Sequence, residues 1–140
     1  MEDWKIKVSV LWLFIAVTRV ANMMLYFLIP GVIDKIRAGE VLGYSHVGLE
    51  ILMMIAILYF WVPLGATGLS LTLKDKANHW VNVILGIFYV GVILFELTVT
   101  ITTVVEPYVT RRPFLALMDI PALVAPVLIV WYAWKSKRKA

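Results

Sequence analysis

Four ionisable residues stand alone inside long apolar stretches of this 140-residue chain: Arg19, Glu50, Glu96 and Asp119. A charge in apolar surroundings needs a partner, because the desolvation it suffers is otherwise uncompensated. Three acids against one arginine leave two negative charges when all are ionised. That excess must be met by a proton, a bound cation or a cationic group. Carboxylates in such a setting are suited to binding a proton-exchangeable cation or a small cationic solute, and by extension to moving it.

Spacing groups further side chains with these four. Asn82, Tyr89, Glu96 and Thr103 recur every seven residues and form one stripe on a helix. Trp12, Arg19 and Tyr26 repeat that interval, with Asn22 one turn beyond Arg19. The candidate ligand- or proton-binding set is therefore Arg19, Asn22, Glu50, Tyr89, Glu96 and Asp119. His46 and Glu50, four residues apart, share a helix face and form a candidate metal pair, a carboxylate and an imidazole suiting divalent ions. Met23, Met24, Met53, Met54 and Met118 fall near the same depth. Thioethers favour copper(I), but methionine is also ordinary packing material, and packing is the expectation here. No cofactor is required by these residues, and a divalent or copper ion is compatible with them. Pro121 and Pro126 flank Asp119 and would free the carbonyls of Leu117 and Ala122.

These residues are carried by four segments expected to be membrane-spanning helices, at about 8–29, 46–69, 80–105 and 114–134. Each holds 20 or so apolar residues, enough to cross a hydrocarbon core. Pro30-Gly31 and Pro107 stop the first and third, and Pro63 lies inside the second. The last ends in Trp131-Tyr132-Ala133-Trp134 followed by lysines, an interfacial pattern. The fold class expected is all-α, a polytopic integral membrane four-helix bundle in one domain over 1–140, with both termini on the same side. The polar start is followed by a run long enough to span and no small-residue cleavage site, so no signal peptide is expected.

Composition agrees with that class. The chain is 62% hydrophobic and 16% charged, with mean hydropathy +0.90. It has no cysteine, which excludes disulfides, thiolate metal sites and cysteine nucleophiles. The net charge of +4 is too thinly spread for a nucleic-acid surface. Glycine-rich phosphate loops, nucleophile elbows and HExxH are all missing from the sequence. Gly65 with Gly68, and Gly86 with Gly91, are expected to allow close helix packing.

Orientation follows from the basic residues. Lys5 and Lys7, Lys74 and Lys76, and the C-terminal tail together hold eight. The first loop (Lys35, Arg37) and third loop (Arg111, Arg112) hold four. Positive-inside bias places both termini in the cytoplasm and the protein, multi-pass, in the plasma (inner) membrane. At about 1.5 Å per residue the three acids then lie in the outer half, near Arg19 and Asn22.

The opening MEDWKIKVSVLWLFIAV, the PGVIDKI after the first span, LKDKANHWVNVILGI and the closing IVWYAWK resemble a family of small bacterial and archaeal four-helix membrane proteins recorded only as a domain of unknown function. The resemblance implies a four-helix membrane fold and no activity. Three function classes are consistent with the residues. The first is an acid-rich site in the outer half that binds, and by extension transports, a cation. The second is an accessory or structural bundle acting through a membrane partner protein or a second copy. The third, and the weakest, is a membrane enzyme using the carboxylates or a metal. The lipid bilayer is the expected partner in all three, and nucleic acid in none.

Overall fold

The computed structural model describes residues 3–28, 30–39, 49–102 and 112–136, with side chains described for these apart from Tyr26, 49–52, 99–102 and 112–118. Every regular element among them is helical. They are α1 (Asp3–Phe27), α2 (Val32–Arg37), α3 (Leu49–Ala56), α4 (Val62–Thr72), α5 (Asp75–Thr102) and α6 (Arg112–Ser136). Between α3 and α4 the chain does not break but widens into a π-turn over Ile57–Trp61.

Among the described residues, three segments are long and apolar enough to cross a membrane: Asp3–Leu25, Met53–Thr72 and Asp75–Thr98. The sequence pattern predicts four. The fourth segment is present as the 25-residue helix α6, whose side chains are described from Asp119 onward. The helices also start earlier than hydropathy suggests. α1 begins at Asp3 and α5 at Asp75, because an acid in the first turn complements the partial positive charge of a helix N-terminus.

Packing sets the order of neighbours. α1 lies against both α6 and α4, α5 lies against α6, and α4 makes a thinner contact with α5. The start of α1, the α4–α5 turn and the end of α6 meet at one end. There Lys5 is paired with Asp75 and donates to the Leu73 carbonyl (3.3 Å). His79 donates from Nδ1 to the Ala133 carbonyl (2.6 Å), since a carbonyl can only accept.

The distribution of polarity is reversed relative to a water-soluble domain. Arg19, Ser70, Asn78, His79, Asn82 and Asp119 are buried, whereas Val10, Val17, Ile84, Phe95 and Trp131 are among the exposed large apolar side chains. Apolar exposure on this scale needs an apolar medium. The methionines follow it: Met23, Met24, Met53 and Met54 all face outward, more than half exposed. The expected packing role between helices is thus corrected, because an unbranched apolar side chain is equally at home against lipid.

Below the middle of the structure a neutral amide network joins three helices. Asn82 Oδ1 accepts from Trp12 Nε1 (2.6 Å) and Ser70 Oγ (2.9 Å), and Asn82 Nδ2 donates to the Asn78 carbonyl (2.8 Å). Asn78 Nδ2 in turn donates to the Ser70 carbonyl (2.6 Å). Each buried amide group therefore has a partner, as a fully buried network requires.

Of the four glycines expected to permit close packing, one does so. A Cβ on Gly86 would stand 2.6 Å from Val130 Cγ2 and 3.4 Å from the Pro126 carbonyl oxygen, whereas Gly65, Gly68 and Gly91 have open space. Gly86→Val is expected to destabilise the protein by about 1–3 kcal/mol through overpacking against a stiff β-branched neighbour. Gly65→Ala should be neutral or slightly stabilising, since alanine is the better helix former by about 1 kcal/mol. Thermal unfolding in detergent would separate the two; equal effects would remove Gly86 as the α5–α6 contact point.

Candidate functional site

The π-turn is the local event from which the site is built. Pro63 has no amide hydrogen and its ring crowds the carbonyl four residues back, that of Tyr59. The helix responds by widening over Ile57–Trp61, which leaves backbone carbonyls in this turn needing other donors. Tyr89 on α5 supplies one, its hydroxyl donating to the Leu58 carbonyl. The Tyr89 ring is held edge-on against Trp12 (centroids 5.2 Å apart, interplanar angle 84°). Tyr89, read from sequence as part of the ligand set, is thus committed to the backbone of the π-turn.

The same widening turns Tyr59 inward. Its ring lies over the Arg19 guanidinium (5.2 Å from Cζ to the centroid), beside the Arg19–Glu96 pair. Sequence reasoning did not single out Tyr59. The signal available was Pro63 four residues later, which displaces the register of every residue before it by about one position.

Arg19 is the hub. Its Nη1 lies 2.7 Å from Glu96 Oε2 and 3.4 Å from Asp119 Oδ1. Asn22 Nδ2 donates to the same Asp119 oxygen (3.3 Å). The Arg19 and Asp119 side chains are 3% and 6% exposed, while Glu96 keeps 30% of its surface. Glu96 is therefore the member of the cluster open to its surroundings. One guanidinium nitrogen serves both acids, so the other edge is left over: Nε and Nη2 of Arg19 are buried and find no partner among the described residues.

Two charges of one sign against one of the other leave the cluster with a single negative charge when all three are ionised. The arrangement is thus unbalanced twice, in charge and in hydrogen bonds. It can hold a proton or a cation on the acids, and an oxygen acceptor such as water on the free guanidinium edge.

The heptad stripes explain why these residues meet. α1 and α5 run in the same direction, and Trp12 to Arg19 on one matches Asn82–Tyr89 to Glu96 on the other. Each step of seven residues is a rise of about 10.5 Å. α1 and α5 are not among the closely packed helix pairs, so the contacts are made by long side chains reaching across the centre.

Of the sequence-derived set, Arg19, Asn22, Glu96 and Asp119 come together, and Tyr89 lies nearer the π-turn. Glu50 lies in α3 with its side chain outside the described residues, as does the whole of His46, and the candidate metal pair falls there with them. Among the described residues, no three His, Asp or Glu side chains gather as a metal site.

No known protein family, characterised protein or solved structure matches this chain.

Arg19→Leu should cost about 3–5 kcal/mol, because it leaves the buried Asp119 and the partly buried Glu96 without their shared counter-charge. A second change, Glu96→Gln or Asp119→Asn, should return part of that loss. Thermal unfolding of the single and double variants in detergent measures the coupling. A neutral Arg19→Leu would mean that the guanidinium contributes nothing to holding α1, α5 and α6 together.

Proposed function

We propose that this chain is a polytopic plasma-membrane protein in which α6 is a fourth crossing helix of a four-helix bundle. Both termini are cytoplasmic, and the Glu96–Asp119 pair in the outer half binds a proton-exchangeable cation or a small cationic solute. The observation that carries this reading is the sharing of one Arg19 nitrogen by two carboxylates, with Glu96 left partly exposed. A staple built only for stability needs one acid per guanidinium. The second acid supplies a charge that a mobile cation or proton can neutralise and leave, and the exposed flank of Glu96 gives it a way in. Transport is the extension of that binding to a second side of the membrane.

A second reading, an accessory bundle acting through a partner protein, is favoured by a different observation: Arg19 already bonds both acids, and Tyr59 covers its face. The two readings separate experimentally. Unfolding temperature in detergent is followed against sodium, potassium, magnesium and guanidinium salts, with N-methylglucamine holding ionic strength constant. A bound cation raises stability by about 2.7 kcal/mol at a hundred times its dissociation constant. The dependence should vanish in Glu96→Gln and in Asp119→Asn. Infrared titration of the same proteins covers the case of a proton alone, through a carboxyl band that responds to pH and is lost in one variant. If no cation shifts the transition and no carboxyl band responds, the accessory reading takes its place.

Topology has its own test. The chain lacks cysteine, so Ala38→Cys and Ala77→Cys give single labelling sites, both exposed and both in or beside turns. Ala77→Cys should react with an impermeant maleimide only from the cytoplasmic side, and Ala38→Cys only from outside. The opposite pattern would turn the site into an inner-half one.

A further inference from the structure

Away from the charged cluster, the lipid-facing side of α5 and α6 carries an open groove of about 380 Å³ lined by Ile87, Val90, Val127, Val130, Trp131 and Trp134. Helix register continues both walls toward the end where α1 starts and α6 finishes. On α5 the face of Ile87 and Val90 runs back through Val83 and His79 to Lys76, in steps of three or four residues. On α6 the face of Val127, Val130 and Trp131 runs on to Trp134 and Lys135. Each wall therefore reads apolar, then aromatic ring, then lysine. Both lysines are exposed.

Trp134 is steadied from behind. Its ring lies 6.1 Å from that of His79, and His79 is fixed by its bond to the Ala133 carbonyl. The acids described at this end do not compete for the two lysines. Asp75 is taken by Lys5, and Asp3 belongs to α1, which is not a wall of the groove.

We propose that this groove is a binding site for an anionic phospholipid. One acyl chain lies along the Ile87–Val130 floor, the Trp131 and Trp134 rings sit at the level of the glycerol backbone, and Lys76 and Lys135 face the phosphate. Charge complementarity selects this occupant. Two lysines at the mouth and no unpaired described acid beside them favour a headgroup with net negative charge over one that brings its own ammonium. The groove itself accepts any chain, so affinity comes from the tail and selectivity from the lysines. This site rests on the membrane reading of the chain and is independent of the cation site.

The test uses tryptophan fluorescence in vesicles of unlabelled phosphatidylcholine doped with brominated-chain phosphatidylglycerol or brominated-chain phosphatidylcholine. Bromine quenches only rings that its chain touches. The brominated phosphatidylglycerol should reach half-maximal quenching at a mole fraction at least threefold lower than its zwitterionic counterpart. That difference should disappear in the double variant Trp131→Phe/Trp134→Phe, which identifies the rings. It should also disappear in Lys76→Gln/Lys135→Gln, which identifies the headgroup contact, and in Ile87→Phe, which fills the groove with both lysines intact. Circular dichroism of each variant checks that helicity is unchanged; these positions are exposed, so the fold should survive, and Lys76→Gln and Lys135→Gln taken singly give a second reading should the double variant not. Equal quenching by the two lipids would reduce the groove to an ordinary annular contact. Selectivity that survives loss of both lysines would move the headgroup contact elsewhere and overturn the assignment.

Discussion

The guanidinium of Arg19 is the constraint to which the rest of this structure answers. In surroundings so apolar, a fully buried cation is tolerable only with an opposite charge in direct contact, and breaking such a contact costs more than most single packing changes. Arg19 sits on α1, Glu96 on α5 and Asp119 on α6, so one charge fixes three helices in azimuth and in depth. Apolar packing cannot do this by itself. Between helices in lipid there is little hydrophobic force to choose one register over another. Directional contacts choose it, and here they are the charged cluster above and the Trp12–Asn82–Ser70–Asn78 network below.

The π-turn belongs to the same logic. A continuous α-helix through Ile57–Trp61 would carry Tyr59 away from Arg19 and leave the backbone beside Pro63 without donors. Widening by one residue places the Tyr59 ring on the guanidinium, while Tyr89 bonds the Leu58 carbonyl. One proline thereby brings a fourth segment to the cluster without adding another charge. The arrangement is local in origin and long-range in effect, since it joins this segment to Arg19 on α1 and to Tyr89 on α5.

Much of this was legible in the sequence, and the physical reasons are specific. Isolated charges in apolar runs announce burial, and the seven-residue spacing of Trp12 and Arg19 against Asn82, Tyr89 and Glu96 announces a shared face. Those two signals are enough to bring Arg19, Asn22, Glu96 and Asp119 together on paper. What hydropathy does not encode is which way an apolar residue points. In a membrane the outside is apolar too, and so the methionines and most of the glycines were placed on inward faces that they do not occupy. Tyr59 was missed because helical periodicity assumes 3.6 residues per turn, and the π-turn breaks that count four residues before the proline that causes it. The early start of α1 and α5 is a third case: Asp3 and Asp75 extend helices beyond the apolar run through capping electrostatics, which hydropathy does not measure.

The two polar tiers differ in a way that bears on where activity resides. In the lower tier each amide and hydroxyl finds a neutral partner within the protein, and nothing is left over for a ligand to satisfy. Its role is complete once the helices have docked. The upper tier is incomplete in both currencies: it carries one acid more than its single cation can balance, and two guanidinium nitrogens without acceptors. An incomplete cluster is less stable than a balanced one would be, since replacing one carboxylate by an amide would remove the surplus charge at no cost in shape. A chain that needed only a staple between α1, α5 and α6 would be better served by that simpler pair. The surplus acid is therefore the part of the structure that packing does not explain, and it is the feature on which the proposed proton or cation site rests.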